Sequence, residues 1–311
     1  MPFLLNTQDF EYLEENLNRK NLFGSDSALA NLFLLQPKYN IRLFIKNDIL
    51  FRYYNGSENR NGWGFPIPLK NAKEDYLRTA LQIIFEDDKS GNRETKFCLF
   101  TQAQKNLADD CLKNYFSAKI QKVAWKTNRD DCDYIYLQKN LAELSGSSYQ
   151  KKRNHVARFN RIHQGDWEFK MFPDHDIAHD IMKVEEIWFD EKNGSEQEAL
   201  ILEKESIRSA LENHELLRIY GGCLYIDGKP AAMSIASAIS NDVLDVHFEK
   251  AIAQYEPDGV FAMVNNLFAK KSPEFVYLNR EEDMGVEGLR KAKLSYKPEI
   301  LLDKFYGKVI R

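Results

Sequence analysis

The chain has 311 residues, 43% of them hydrophobic and 29% charged, with a net charge of −4. That length suits two domains rather than one core, and the balance is that of a globular protein. A slightly acidic chain is not coated in cations for nucleic acid or an anionic membrane, and no apolar run nears the roughly 20 residues that span a bilayer.

The opening stretch MPFLLNTQDFEYLEE has neither a basic leader nor a long apolar core, so it does not read as a secretory signal. Cys98, Cys111, Cys132 and Cys223 share no metal or redox spacing. They read as reduced core thiols of a cytoplasmic protein.

Periodicity predicts helices over Gln8–Lys20 and Ser25–Leu35. Strands Ile41–Ile45 and Ile49–Tyr54 follow, joined by the tight turn Lys46-Asn47-Asp48. A strand Trp63–Leu69, a helix Lys73–Phe85, a strand Lys96–Phe100, a helix Gln102–Tyr115 and a strand Ile120–Trp125 complete the first half. A boundary is expected near Asn128–Gly146, with a bridging helix over Ser147–Arg161.

The second half begins with a strand Trp167–Phe172 and helices Ile177–Asp190 and Glu196–Asn213. Strands Leu217–Ile226 and Ala231–Ile239 flank the hairpin turn Asp227-Gly228. Then come a strand Val243–Lys250, a helix Gly259–Lys271, a strand Phe275–Asn279, a helix Val286–Tyr296 and a strand Ile300–Tyr306.

Both halves thus read helix, helix, three strands, helix, strand, helix, strand. That order resembles the GNAT acyltransferase fold. The expectation is an α/β (α+β) protein of two tandem GNAT-like domains, each a mixed sheet flanked by helices. Residues 1–135 form a degenerate first domain and 136–311 a second that carries the working cleft. The first half's counterpart to the ligand junction, Leu69-Lys70-Asn71-Ala72-Lys73, has no glycine.

Strand alternation sets Leu244, Val246 and Phe248 on one face of VLDVHFEK and Asp245, His247 and Glu249 on the other. Ionisable groups on a central strand point to a cleft, and either Glu249 or His247 is expected as a base. Gly259 opens the next helix, where free N–H groups can hold a phosphate. The preceding stretch, Gln254 to Val260, carries a single glycine, and Glu256 and Asp258 oppose an anion there. A plain capped helix is the alternative.

On the last helix Lys293 falls within the apolar stripe Val286, Leu289, Ala292 and Tyr296, with Arg290 and Lys297 beside it. A lysine so placed meets a structural carboxylate or steadies an oxyanion or phosphate. Lys151, Lys152, Arg153, Arg158 and Arg161 form a basic patch that suits a phosphate-rich ligand or a solvated face. His175 and His179 have i, i+4 spacing on an expected helix, but no third ligand is evident, so no metal is expected.

The stretches LSGSSYQKKRNHVARF (144–159), VHFEKA (246–251) and YLNREEDMGVEGLRKAKLSYKPEILLDKF (277–305) resemble the phosphatidylglycerol lysyltransferase C-terminal domain family, in particular its stand-alone members. The resemblance implies kinship with Fem-type transferases, which move an aminoacyl group from tRNA. It also implies a lysine in a G-L-x-x-(F/Y)-K pattern, matched by Gly288-Leu289-Arg290-Lys291-Ala292-Lys293 with Ala292 in place of the aromatic residue. The expected reaction is acyl transfer from acyl-coenzyme A to an amine. Glu249 or His247 is the base and Lys293 the charge stabiliser. Val246, Phe248, Lys250, Tyr255, Gly259, Val260, Asn279 and Arg290 line the cofactor. The alternatives are an aminoacyl-tRNA donor and a non-catalytic coenzyme A-binding module.

Overall fold

The structure, a computed structural model, describes residues 6–56, 60–172 and 174–311. Part of the opening stretch read above as lacking a leader lies outside them. Helix α1 (Thr7–Asn16) starts where the Asn6 side chain accepts the Asp9 N–H at 2.9 Å, a standard N-cap. The next expected helix is two pieces, a 3-10 turn Ser25–Ser27 and α2 (Leu29–Leu34). Helix α3 (Gln36–Tyr39) leads to strands β1 (Ile41–Lys46) and β2 (Ile49–Asn55). Their turn residues Asn47 and Asp48 both have positive φ, 55° and 58°, the hairpin geometry whose twist matches the strands.

The expected strand Trp63–Leu69 is broken into β3 (Asn61–Trp63) and β4 (Ile67–Pro68). Between them the Gly64 N–H goes to the Arg52 carbonyl at 2.9 Å, and prolines 66 and 68 have no N–H for a ladder. Helix α4 (Tyr76–Ser90), β5 (Lys96–Phe100), α5 (Gln102–Phe116) and β6 (Lys122–Thr127) follow. Thr101 and Gln104 form a reciprocal capping box at α5.

The expected boundary is instead regular structure: β7 (Asp133–Leu137) and α6 (Gln138–Glu143). Next come α7 (Gln150–His163), β8 (Trp167–Met171), α8 (Ala178–Glu191) and α9 (Glu198–Glu212). His175 precedes α8 and His179 lies inside it, so the pair is not on one helix. Strands β9 (Tyr220–Ile226) and β10 (Lys229–Ala238) meet at Asp227-Gly228, again with both φ values positive. The chain ends with β11 (Val243–Ala251), α10 (Val260–Lys270), β12 (Tyr277–Asn279), α11 (Glu287–Leu294), β13 (Ile300–Leu302) and β14 (Phe305–Ile310). The single strand expected over Ile300–Tyr306 is therefore two, and they belong to different sheets.

The residues sort into two compact units that are discontinuous in sequence. The first is Met1–Lys20, Leu35–Asp133 and Leu302–Arg311; the second is Asn21–Leu34 and Tyr134–Leu301. A cut at 135/136 thus misplaces two segments. The first unit's sheet runs β1-β2-β3-β5-β14-β6, with β4 beside β2. The second runs β13-β7-β12-β11-β10-β9-β8. Strand β3 pairs with β5 in parallel in the first sheet, and β11 with β12 in the second. The strand that follows β6 in sequence completes the second sheet, while β14 fills the gap between β5 and β6 in the first.

In the first unit α4 and α5 cover an aromatic core that includes Phe51, Trp63, Phe97 and Phe100. In the second, α10 packs on one side of the sheet against Tyr136, Leu244 and Val246. Helix α8 packs against β10 and β11 as well. No helix of the described residues is long and apolar enough to cross a membrane. The four cysteines are buried and unbridged.

Candidate active site

Strand β11 does not alternate as expected. Its register with β10 shifts, so that Phe248 faces Ile235 and Val246 faces Ala236. His247 is the extra residue of a β-bulge, which re-aims the side chains after it. Leu244 and Val246 pack in the core on the α10 side. Glu249 now joins that side, where the Asn265 amide of α10 donates to its Oε2 at 3.3 Å. The polar face Asp245, His247 and Glu249 is thereby divided into two clusters.

The first cluster is centred on His247, whose side chain is buried. Its Nδ1 lies 3.4 Å from Asp245 Oδ2 and 3.3 Å from Glu281 Oε1, and Nε2 meets Ser237 Oγ at 2.8 Å. Asn31 Nδ2 donates to both carboxylates at 3.0 Å. Burial alone lowers the imidazole pKa, but Asp245 and then Glu281 outweigh it and raise it to about 9. A protonated imidazole has no lone pair, so His247 is not a base near neutral pH. Asp245, His247 and Glu281 are a metal-type ligand set, with one atom from each mutually within 4.8 Å. A cationic ring and an amide already bonded to both carboxylates suit a closed hydrogen-bonded ion cluster better than a metal.

The second cluster lies where the sheet opens. The β11–β12 pairing stops at Asp245 and Asn279. Beyond it β11 continues to Ala251, while Arg280 leaves to give its N–H to the Tyr134 carbonyl. Arg280 Nη2 donates to Glu249 Oε1 at 2.7 Å, and the guanidinium sits 5.2 Å from the Tyr296 ring and 5.8 Å from Tyr136. The Glu249 and Arg280 side chains are only 10% and 14% exposed. Lys152 Nζ, from α7, lies 3.7 Å over the same Tyr296 ring. Three buried polar atoms here have no hydrogen-bond partner: Arg280 Nη1, Asn265 Oδ1 and Ser234 Oγ. Ser234 faces Glu249 across the ladder. Buried unsatisfied groups are costly and call for an explanation.

Lys293 does not point into this opening as a free cation. Its Nζ donates to the carbonyls of Arg280, Glu281 and Glu282 at 2.5, 3.2 and 2.5 Å. Arg290 grips Asp283 with two bonds of 2.8 Å. Tyr134 and the Gly285 N–H bind that carboxylate too, and Arg290 with the other donors holds it well below the usual carboxylate range despite desolvation. Asn279 donates to the Phe23 carbonyl and accepts the Glu281 N–H. Asn279, Arg290 and Lys293 therefore knit one loop, and that loop presents Arg280 and Glu281.

The remaining expected cofactor residues do not gather. Val246 is buried in the core. Phe248 falls on the other side of the bulge, as does Lys250, whose Nζ lies 2.6 Å from Glu185 and 2.8 Å from Glu203 and 3.6 Å over Trp188. Tyr255 stands in the 3-10 turn Ala253–Asp258, near the His163 ring. Gly259 has φ 98°, and a Cβ there would lie 2.7 Å from the His155 carbonyl oxygen. Its need for glycine is the close pass of α7. Asp258 lies 3.2 Å from His163, and Val260 is fully buried. Of the basic patch, Arg153 bonds the Leu144 and Gly146 carbonyls, Lys152 turns inward, and Lys151, Arg158 and Arg161 are exposed.

Arg280, Asn265, Ser234, Glu281 and Lys152 were not singled out from sequence as site residues, Lys152 apart from its place in the basic patch. The available signal was the charged run Arg280-Glu281-Glu282-Asp283 directly after a strand. The first unit also has a concavity, about 740 Å³, lined by Arg42, Phe44, Tyr53, Trp63 and Arg93 among others. It is an open trough in which Arg93 is already paired with Asp87 and Asp88. We place the chemistry in the second unit, around the buried pair Glu249 and Arg280.

Comparison with known proteins agrees with the fold. The family described as phosphatidylglycerol lysyltransferase, C-terminal, matches residues 18–307. A conserved protein of unknown function from Bacteroides thetaiotaomicron is 28% identical, covering 99% of each chain, with a TM-score of 0.87. L-PGS from Bacillus licheniformis superposes with a TM-score of 0.62 at 12% identity, covering 97% of this chain and 91% of that one. An uncharacterized protein of Mycoplasmoides gallisepticum is 24% identical over 256 residues, 79% of this chain and 74% of that protein. With a match over nearly its whole length, the chain belongs to the phosphatidylglycerol lysyltransferase C-terminal family.

Proposed function

We propose that this GNAT-like acyltransferase moves an aminoacyl group from an aminoacyl-tRNA ester to a nucleophilic acceptor. The observation that carries this reading is the pairing of one unsatisfied buried donor, Arg280 Nη1, with unsatisfied acceptors, Asn265 Oδ1 and Ser234 Oγ, around Glu249. An aminoacyl ester brings a carbonyl oxygen for the donor and an ammonium for the acceptors and the carboxylate. An acetyl group leaves those acceptors empty. The family's description, lysyltransferase, supports the same choice.

In the reaction the acceptor forms a bond to the ester carbon and gives up its proton. The ester C–O bond breaks, and the ribose hydroxyl leaves carrying a proton. Arg280 Nη1 stabilises the oxyanion that develops between these events. Acyl-coenzyme A, the donor expected from the order of elements, is less well served. The start of α10 has Glu256 and Asp258 beside it, and its glycine is packed against His155. Acidic groups at that helix start repel a pyrophosphate.

The test is a thermal-shift titration with coenzyme A and with a 3′-aminoacylamido-3′-deoxyadenosine series, followed by transfer assays with labelled aminoacyl-tRNA and acyl-coenzyme A. The expected result is stabilisation by the aminoacyl nucleoside and label leaving tRNA, with steep salt dependence. Transfer from acyl-coenzyme A with none from aminoacyl-tRNA overturns the reading.

A further inference from the structure

We infer that Lys152 is the group in this site that takes the acceptor's proton and returns it to the leaving ribose oxygen. The inference rests on the aminoacyl reading for the identity of the leaving group, but its placement does not. Glu249 is bonded to both Arg280 and Asn265, and His247 is a cation in a closed cluster. The carboxylate faces the ammonium of the bound aminoacyl group, and a protonated imidazole has no lone pair, so neither is placed to serve the acceptor. Lys152 is different. It comes from the inward side of α7, half-buried, with its ammonium against the Tyr296 ring that Arg280 also faces.

The groups around Lys152 are Arg280, Glu249 and Tyr296, with Tyr136 beyond Arg280. Glu249 is already matched to Arg280, and among the described residues Lys152 has no ion-pair partner within 4.0 Å. Burial first and the Arg280 charge second push its pKa down to about 8. Roughly a tenth of such an amine is neutral at pH 7, against a negligible share of an ordinary lysine. Its free base has one lone pair, which is what proton transfer requires.

The proton balance is simple. As the acceptor bonds to the ester carbon, its proton passes to Lys152 Nζ, and the amine becomes an ammonium. As the tetrahedral intermediate collapses, the ribose oxygen takes that proton and the amine is restored. Arg280 holds the oxyanion throughout and does not titrate.

Two measurements test this. The first is competitive labelling with trace acetic anhydride, read by mass spectrometry across pH 6 to 11. Lys152 is expected to reach half-reactivity near pH 8, the exposed Lys151 well above pH 9. Arg280→Met should move the Lys152 midpoint upward. Equal midpoints for the two lysines, or a Lys152 that never labels, overturn the inference, since an amine that no reagent reaches cannot meet an acceptor. This readout needs no substrate, so it stands even if the donor assignment fails.

The second is transfer by Lys152→Met and Lys152→Arg. Both should lose at least about a hundredfold in kcat with KM changed less than about threefold. The arginine variant keeps the charge but cannot give up its proton. The exposed Lys291→Met should keep wild-type rates. Transfer that survives in Lys152→Met overturns the role while leaving the aminoacyl reading intact.

Discussion

The parallel junctions β3–β5 and β11–β12 are surrounded by opposite kinds of side chain. In the first unit Trp63 faces Phe97 across β3 and β5, and Phe97, Phe100 and Trp125 lie with ring centroids 5.0 to 5.8 Å apart. That centre is sealed by rings. In the second unit the strands part after Asp245 and Asn279, and the gap holds Glu249, Arg280, Asn265 and Lys152. The lesson is that one sheet plan supplies either a core or a reactive site. The outcome is decided by whether the exposed strand edge is covered by aromatic surface or by charges that satisfy each other only in part.

The hardest way to strain that contrast is to hollow the sealed junction. Phe97→Ala should cost about 3–5 kcal/mol of stability, measured by urea unfolding, yet leave affinity for the aminoacyl nucleoside within about twofold. A large loss of affinity at a residue of the first unit would mean that the two junctions are not functionally separate. Arg280→Met strikes the open junction. It leaves Glu249 buried without its cation, at a cost of about 3 kcal/mol, and removes the oxyanion donor. Adding Glu249→Gln should recover much of the melting temperature and none of the transfer, a split that a purely structural pair would not give.

Lys293→Met should act at one remove. Freeing three loop carbonyls should cost about 1–3 kcal/mol and lower transfer about tenfold by loosening Arg280, while the exposed Lys291→Met stays within about 0.5 kcal/mol. The smallest effect is a pH signature. His247 has a folded pKa raised from 6.5 to about 9, so its contribution is complete below about pH 6.5 and fades as pH rises through about 9. Wild-type melting temperature should therefore fall across that window more steeply than that of His247→Gln. Parallel curves would remove the imidazolium from the account.

Local chemistry was legible in the sequence, and long-range pairing was not. Asn47-Asp48 and Asp227-Gly228 announced their hairpins because turn geometry is set by the turn residues themselves. Asp133–Leu137 read as a boundary because nothing beside it in sequence pairs with it; its partner β12 lies far along the chain. The break at Asp303 and Lys304 was hidden for the same reason. Lys304 is buried against Asp133, and Asp303 accepts the Cys132 thiol at 3.1 Å. The region of Lys293 and Arg290 was found by its charged helix, but their partners were not, since a helical wheel cannot show that Nζ ends on three carbonyls. Glu249 was placed on the wrong face by one residue: alternation has no way to register a bulge at His247.

Strand β14 has a consequence for how the protein is made. It fills an interior place of the first sheet, paired on both sides with β5 and β6. During synthesis the first unit thus stands with a missing rung, two open edges and an aromatic floor, until residues 305–310 have left the ribosome. The larger part of the second unit, Tyr134–Leu301, is translated in that interval. An unpaired edge of that kind is a template for aggregation, so a nascent chain stalled after α11 should be a client for chaperones. Deleting a handful of residues from β14 should injure the sheet that holds β5 and β6 first.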